Sequence, residues 1–228
     1  MIRIGIAEDQ ALFRKGIVSL LNSFHNMEVV EEAADGQEIV NRYKELHAAQ
    51  EALPDITILD LNMPVLDGIK ATVQLKELFP QLKIIIISSF DDQDIVVHLY
   101  EKGANAYLDK NAEPEEVEEA INAVFTNDFF FNKAAKNALE DASIDTPNII
   151  ILNAEDALSE RELEVLKYIC YANTTEEIAN IMSLSKRTVD GHRSKLMQKT
   201  SSKNTTSLVL FALKAKLVNI SELKVNLF

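Results

Sequence analysis

Short apolar runs alternate with amphipathic stretches over the first 126 residues of the chain. The runs at 56–59 and 84–87 lack polar alternation, which is typical of parallel strands buried on both faces. The amphipathic stretches repeat apolar residues every three or four positions, which is the period of a helix with one buried face. The pattern predicts strands at 2–7, 29–33, 56–60, 83–88 and 104–108, and helices at 11–21, 37–46, 69–78, 94–101 and 115–124.

This alternation of strands with helices indicates a fold class. Strands joined by helices pair in parallel, and right-handed crossovers place helices on both faces of the sheet. We therefore expect an α/β domain over residues 1–126, built on a doubly wound, five-stranded parallel sheet. A domain of this length has room for a substantial hydrophobic core.

The rest of the chain has helical patterns and no strand pattern. A short helical stretch at 132–141 leads into turn-forming residues that include Pro147, so we interpret 127–153 as a linker with a short helix. Residues 154–228 are expected to form a second, smaller all-α domain. The break at 183–185 is short enough to join two helices at a steep angle, as in a helix-turn-helix. The predicted helices are 159–171, 175–182, 186–199 and 205–216.

Residues at the predicted helix starts fit the preferences of first turns. Glu162 follows Ser159 by three positions, which is the spacing of a capping box. Thr175 and Ser185 are predicted N-caps. Pro114 suits the first turn of its helix, where a missing N–H costs nothing.

Charge changes the picture, because it is distributed unevenly. The formal net charge of −13 would by itself argue against nucleic acid as a partner. Residues 1–126 carry a net charge of −13, residues 127–157 carry −4, and residues 158–228 carry +4. Such asymmetry indicates two domains with different partners. Six basic residues and one acidic residue lie within 185–203, although composition alone slightly favours a solvated helix face there.

The number of cysteines and the lengths of the apolar runs indicate the cellular compartment of the protein. The single cysteine, Cys170, has no partner for an internal disulfide, which suits a core position in a reducing compartment. Acidic residues follow the N-terminus too early for a signal peptide, and no apolar run approaches the roughly 18 residues that span a membrane. We therefore expect a cytoplasmic protein without a membrane partner.

Carboxylates stand at the predicted strand ends. The first strand ends at Glu8 and Asp9, and the third ends at Asp60. Ligands bind at the carboxyl ends of strands in open parallel sheets, so these side chains are expected to meet in one cleft. Three carboxylates repel one another unless a cation neutralises them, and hard oxygen ligands with open positions suit Mg²⁺.

Two further residues follow the neighbouring strands. Ser88 ends the fourth strand and offers a hydroxyl, and Lys110 follows the fifth strand and offers a cation. A carboxylate nucleophile, a divalent metal, a hydroxyl and a lysine together make a site for phosphoryl transfer onto aspartate.

The run 60–68, with Glu8-Asp9 before it and 103–110 after it, resembles the receiver domain of two-component response regulators, which has a CheY-like fold. The resemblance implies that Asp60 accepts a phosphoryl group from a histidine kinase in a phosphorelay. It implies that Glu8, Asp9, Asp60 and the backbone carbonyl of Asn62 bind Mg²⁺, that Ser88 and Lys110 bind the phosphoryl group, and that Ser88 and Tyr107 report its presence. The chain departs from the common pattern with Glu8 in place of Asp and Asn111 in place of Pro.

The runs 158–166, 177–179 and 185–196 are similar to the LuxR-type helix-turn-helix. With the receiver, they make the whole chain resemble transcription factors of the NarL/FixJ class. The resemblance implies a regulator that binds promoter DNA and forms a homodimer when phosphorylated. It is then a binding module and not an enzyme in the usual sense.

Helical spacing divides the residues of the third C-terminal helix between two faces. Val189, His192, Leu196 and Thr200 would face the small core, which leaves an outer face for the major groove. Lysines and Arg187 suit phosphates, Arg193 or Arg187 suits guanine, and Asp190 suits the amino group of cytosine. The predicted DNA contacts are Lys186, Arg187, Thr188, Asp190, Gly191, Arg193, Ser194, Lys195 and Lys199.

Two alternatives stay open. An aspartyl-phosphate hydrolase would also use a strand-end aspartate with Mg²⁺, although such enzymes generally need a second acid where Asn62 stands. A regulator that binds DNA without phosphorylation would keep the acidic site without using it.

Overall fold

The computed structural model describes residues 1–89, 93–142, 158–219 and 223. The chain divides into two compact units, one within Met1–Asp92 and Lys102–Phe130 and the other within Gln93–Glu101 and Phe131–Phe228. Pro147 and the end of the predicted linker lie outside the described residues. Within the described ranges, no helix combines the length and the apolar composition that a bilayer crossing requires.

The first unit contains a five-stranded sheet in which all strands are parallel. The strands are β1 (Ile2–Ala7), β2 (Met27–Ala33), β3 (Ile56–Asp60), β4 (Lys83–Ser88) and β5 (Ala106–Asp109). The order across the sheet is β2-β1-β3-β4-β5, so the chain winds outward in both directions from β1 and β3. This confirms the predicted doubly wound α/β fold.

Helices cover both faces of this sheet. Ile58 of β3 belongs to a core cluster with Ile17 and Ile121 from two helices on one face, whereas Thr57 points to the other face and bonds the hydroxyl of Tyr43 at 2.9 Å. Alternate residues of a strand point to opposite faces, which explains this division. The helices packed on the sheet are α1 (Ala11–Ser23), α2 (Gly36–Ala48), α3 (Gly68–Leu78) and α5 (Pro114–Asn127). Helix α4 (Gln93–Lys102) lies between β4 and β5 in the chain, and all but its last residue belongs to the second unit.

The register of the strands brings their carboxyl ends to one edge. Ala7 pairs with Leu59, and the next residue of β3 pairs with Ile87. Ser88 pairs with Asp109 in turn. The residues that follow β1, β3 and β5 are therefore neighbours in space.

The second unit contains the C-terminal helices. Ser159 and Glu162 form the predicted capping box, and Ser185 caps its helix as predicted. The prediction for Thr175 was wrong: Thr174 is the N-cap, because Glu177 stands three residues after it and completes a capping box. The helices are α6 (Lys133–Ala142), α7 (Glu160–Cys170), α8 (Thr175–Met182), α9 (Lys186–Thr200) and α10 (Thr205–Lys214).

Candidate functional site

The carboxylates predicted at the strand ends lie together. Glu8 and Asp60 are buried, with 0% and 2% of their surface exposed, whereas Asp9 is exposed. One carboxylate oxygen from each of the three lies within 4.8 Å of the others. We call these three residues and Lys110 the strand-end cluster.

Lys110 supplies the positive charge of the strand-end cluster. Its Nζ lies 2.8 Å from Glu8 Oε2 and 3.0 Å from Asp60 Oδ2, and its side chain is only 10% exposed. The backbone N–H of Lys110 donates to the carbonyl of Ser88 at 2.9 Å, which fixes the turn after β5 against the end of β4. The lysine therefore lies where a group attached to Asp60 would be held.

Burial and ion pairing act in opposite directions on the pKa values of Glu8 and Lys110. Burial raises the pKa of Glu8 above its usual value, and the hydrogen bond with Lys110 opposes this rise. Burial alone would lower the pKa of Lys110, but its contacts with Glu8 and Asp60 raise it. Glu8 and Lys110 thus each favour the charged form of the other, against the effect of burial.

The donor set of the strand-end cluster fits a hard divalent cation. The possible ligands in the cluster are its three carboxylates, and their oxygens are close enough to share one ion. Asp9 is exposed and so leaves one side open to water. Asn62, whose carbonyl was predicted to join the site, lies in the exposed start of the turn after β3.

Ser88 and Tyr107 end up on adjacent strands near this edge. Ser88 is fully buried at the end of β4, and Tyr107 is 2% exposed in the middle of β5. The register pairs Tyr107 with Ile86, two residues before Ser88. Both predicted switch residues are therefore enclosed by the fold.

The turn after Asp60 is held by close backbone packing. A Cβ on Gly68 would lie 2.3 Å from the backbone oxygen of Asp60, so only glycine fits there. Asp67 caps α3 by accepting from the N–H of Lys70 at 2.8 Å. Between these residues and Asp60, Val65 is exposed and has a left-handed backbone with φ of 64°.

Sequence reasoning missed two residues beside the strand-end cluster. The Phe13 ring lies under the Lys110 ammonium, with 4.7 Å from Nζ to the ring centroid. Arg14 donates from Nη1 to the backbone carbonyl of Glu8. The sequence of α1 gives no sign of these contacts of Phe13 and Arg14, because they depend on how α1 packs at the end of β1.

The predicted inner face of α9 is confirmed. Val189 and Leu196 are fully buried, and His192 and Thr200 are half-buried. The predicted DNA contacts lie on the rest of the helix surface, and Arg193 is the one that is half-buried. The others are exposed: Lys186, Arg187, Thr188, Asp190, Gly191, Ser194, Lys195 and Lys199.

Several of these side chains already contact other helices. Lys199 Nζ lies 2.7 Å from Glu162 Oε2, and together with the N-cap of α7 it lowers the pKa of Glu162 to about 2. Arg193 donates to the hydroxyl of Thr205 at 2.8 Å. Within the described residues, neither Arg187 nor Lys195 has an ion-pair partner. The basic residues of α9 thus divide into those tied to the fold and those facing solvent.

Both parts of the chain match known protein families. Residues 4–122 match the family described as response regulator receiver domain, and residues 156–212 match bacterial regulatory proteins of the luxR family. The oxygen regulatory protein NreC of Staphylococcus carnosus is 35% identical over 222 residues, which are 96% of this chain and 100% of that protein.

Solved structures show the same architecture. A LuxR-family two-component response regulator from Aurantimonas is 26% identical with a TM-score of 0.57, over 63% of this chain and 98% of that one. The RcsB response regulator of Salmonella typhimurium, studied for its DNA interaction, is 23% identical with a TM-score of 0.54, over 91% of this chain and 96% of that one. The chain therefore belongs to the response regulators, as a transcription regulator with a receiver domain and a DNA-binding domain of the LuxR family.

Proposed function

We propose that this chain is a phosphorylation-controlled transcription factor in which Asp60 accepts a phosphoryl group from a sensor histidine kinase. The observation that carries the proposal is the position of Asp60, buried at the end of β3 and 3.0 Å from Lys110 Nζ, with two further carboxylates beside it. A buried nucleophile with a cation at its oxygen is what phosphoryl transfer onto a carboxylate requires.

In the proposed step, an Asp60 carboxylate oxygen forms a bond to phosphorus while the bond from phosphorus to the donor atom breaks, and the leaving group departs with that electron pair. Lys110 shifts its contact from the carboxylate to the phosphoryl oxygens, and the Ser88 hydroxyl donates to another. Glu8, Asp9, Asp60 and the carbonyl of Asn62 would hold Mg²⁺. A bound Mg²⁺ supplies Lewis-acid stabilisation of the charge on the phosphoryl oxygens.

We propose that Ser88 and Tyr107 transmit this event. Both are enclosed, so a change in what Ser88 contacts forces its packed neighbours to rearrange. The result is a shift of the population toward a homodimer that binds promoter DNA. In this scheme residues 1–126 form the receiver domain, 127–153 the linker and 154–228 the DNA-binding domain, and the chain acts by binding and not by turnover.

For DNA, we propose that the solvent-facing lysines and Arg187 bind phosphates while Asp190 and Gly191 meet the bases. Arg187 and Lys195 have their charges available within the described part of the chain. Lys199 and Arg193 also hold α9 against α7 and α10 through Glu162 and Thr205. Their contribution to DNA affinity is therefore mixed with a contribution to stability.

The phosphoacceptor is tested by incubating the protein with acetyl phosphate and Mg²⁺ and measuring acid-labile phosphate on the protein. Wild type is expected to incorporate up to one phosphoryl group per chain, and Asp60→Asn none. Asp109→Asn is the matched control, because Asp109 also ends a strand and accepts from the Asn111 N–H outside the strand-end cluster. Equal incorporation by wild type and Asp60→Asn contradicts the proposal, and steady phosphate release from small phosphoesters indicates a hydrolase instead.

The switch is tested by selecting binding sites from a random DNA library with and without the phosphoryl donor, at one stated salt concentration. The phosphorylated protein is expected to dimerise and to select a site with two half-sites. Asp60→Asn is expected to behave as the unphosphorylated protein. If Asp60→Asn dimerises and binds as phosphorylated wild type does, phosphorylation is not the switch.

A further inference from the structure

Arg14 contacts the turn that carries two of the proposed metal ligands. The residue lies in the first turn of α1, and its backbone N–H donates to the carbonyl of Gln10 at 2.9 Å. Its side chain reaches back along the chain, and Nη1 donates to the backbone carbonyl of Glu8. Nε lies 3.6 Å from Glu32 Oε2 on β2, so the guanidinium also joins the turn to the neighbouring strand.

The contacts made by Glu8 explain why its carbonyl matters. Its N–H donates to the carbonyl of Ala33 at 3.2 Å, and its carboxylate accepts from the N–H of Gln10 at 3.0 Å while contacting Lys110. The main chain at Glu8 is thus held on its N–H side by β2 and on its carbonyl side by Arg14. Asp9 follows directly, and its exposed carboxylate makes no hydrogen bond or ion pair with any residue of the described ranges, so its direction depends on the backbone.

We propose that Arg14 is a positioning residue for the proposed magnesium site, because it holds the 8–10 turn so that the carboxylates of Glu8 and Asp9 face Asp60. The inference rests on the proposed function, since it concerns affinity for the metal used there. The side chain is 19% exposed, so water replaces its hydrogen bond to the carbonyl only in part when it is removed.

Electrostatics and positioning predict opposite effects of removing Arg14. A cation beside a metal site repels the metal, so loss of charge alone tightens Mg²⁺ binding. Loss of a group that orients the ligands weakens Mg²⁺ binding, commonly by about tenfold or more. The sign of the change therefore separates a positioning residue from a surface charge.

The experiment is a calorimetric titration of the full chain with Mg²⁺ alone. Arg14→Met is expected to raise the Kd about tenfold. Lys15→Met is the matched control, because it removes the same charge from the next, exposed position of α1, and its Kd is expected to stay the same or fall slightly. Arg14→Lys keeps the charge and one donor, so an intermediate Kd is expected.

Amide hydrogen exchange at Asp9 and Gln10 provides a second readout that needs no metal. Exchange at these two positions is expected to speed up in Arg14→Met and not in Lys15→Met, with the protected core of the sheet unchanged. If Arg14→Met does not fold, Arg14→Lys against wild type carries the comparison. An unchanged or tighter Kd in the folded Arg14 variants overturns the inference alone, whereas a wild type that binds no Mg²⁺ overturns the metal-dependent function as well.

Discussion

The strand-end cluster and helix α9 both concentrate charge, but they hold it differently. In the cluster, Lys110 lies between two buried carboxylates at 2.8 and 3.0 Å. On α9, Arg187 and Lys195 point into solvent, without an ion pair to any other described residue. Charges in a poorly solvated place interact strongly and depend on geometry, whereas exposed charges interact weakly and are screened by salt.

The difference suggests two kinds of specificity. A site of buried charges accepts one ligand geometry, so most changes abolish its chemistry. A surface of separate charges gives graded affinity, and each residue contributes a small part. The contrast between buried and exposed charges can be tested by substitutions at Gly68 and Gly191, in the Glu162–Lys199 ion pair, and at Lys195 and Asp190 of α9.

The largest effect is expected from Gly68→Ala. A Cβ there would meet the backbone oxygen of Asp60 at 2.3 Å, and backbone does not move aside cheaply. The free energy of unfolding is expected to fall by about 3 kcal/mol in urea denaturation. Gly16→Ala is the control, because a Cβ at that exposed position of α1 meets nothing within 4 Å. Equal stabilities of the two variants would show that the turn after Asp60 is not tightly packed.

The pH dependence of stability tests whether Glu162 and Lys199 behave like a buried pair within the DNA-binding unit. The pKa of Glu162 is lowered to about 2 in the fold, from an ordinary 4.5. Its stabilising contribution is therefore complete above pH 4.5 and is lost as the pH falls toward 2. At pH 7, the free energy of unfolding of Glu162→Gln is expected to be about 1 kcal/mol lower than that of wild type, after allowance for screening at the exposed Lys199. Between pH 4.5 and 2, the variant is expected to lose less stability than wild type.

Glu164→Gln serves as the matched control for this measurement. It removes a carboxylate from the same helix, and its pair with Arg161 is exposed on both sides. Its stability at pH 7 is expected to change by less than about 0.5 kcal/mol. If the two variants change alike, the Glu162–Lys199 pair is no stronger than a surface pair.

Gly191→Ala tests the outer surface of α9. A Cβ at Gly191 meets nothing within 4 Å, so alanine fits the free protein and is expected to raise the free energy of unfolding by about 1 kcal/mol. The same methyl group would lie on the proposed DNA-binding surface, so binding to the selected site is expected to weaken about tenfold. A variant that is more stable and binds equally well would remove Gly191 from the interface.

The smallest effects are expected from single exposed residues. Lys195→Met should weaken binding to all DNA sequences alike and reduce the slope of log affinity against log salt by about 0.9. Asp190→Asn should instead alter the preference for one base pair. Filter binding over a salt series on matched and mismatched sites measures both. Equal and sequence-independent losses from the two variants would contradict this division of roles.

The sheet was predictable from sequence because strands buried on both faces have unbroken apolar runs, such as 84–87. Once the strands were placed, their ends had to share an edge, and so the positions of Glu8, Asp60 and Lys110 followed. Element boundaries were less certain. β2 begins at Met27 and not at 29, because the pairing of Ile2 with Met27 extends the strand through a charged residue.

Contacts between side chains distant in sequence were not predictable. Nothing in the pattern joins Lys199 to Glu162, 37 residues away, or Arg193 to Thr205 on the next helix. Both contacts depend on the angles at which helices cross, which periodicity does not give. The same limit hid the contacts of Phe13 and Arg14 beside the strand-end cluster.

The contact of Lys110 with two carboxylates has a consequence for the valence of the cation that the proposed magnesium site would favour. The three carboxylates and the one ammonium of the strand-end cluster carry a formal charge of −2. A divalent ion balances that charge, whereas a potassium or sodium ion leaves half of it. In the proposed site, the balance of formal charges would therefore favour a divalent ion over the abundant monovalent ions of a cell, in addition to any effect of size or coordination number.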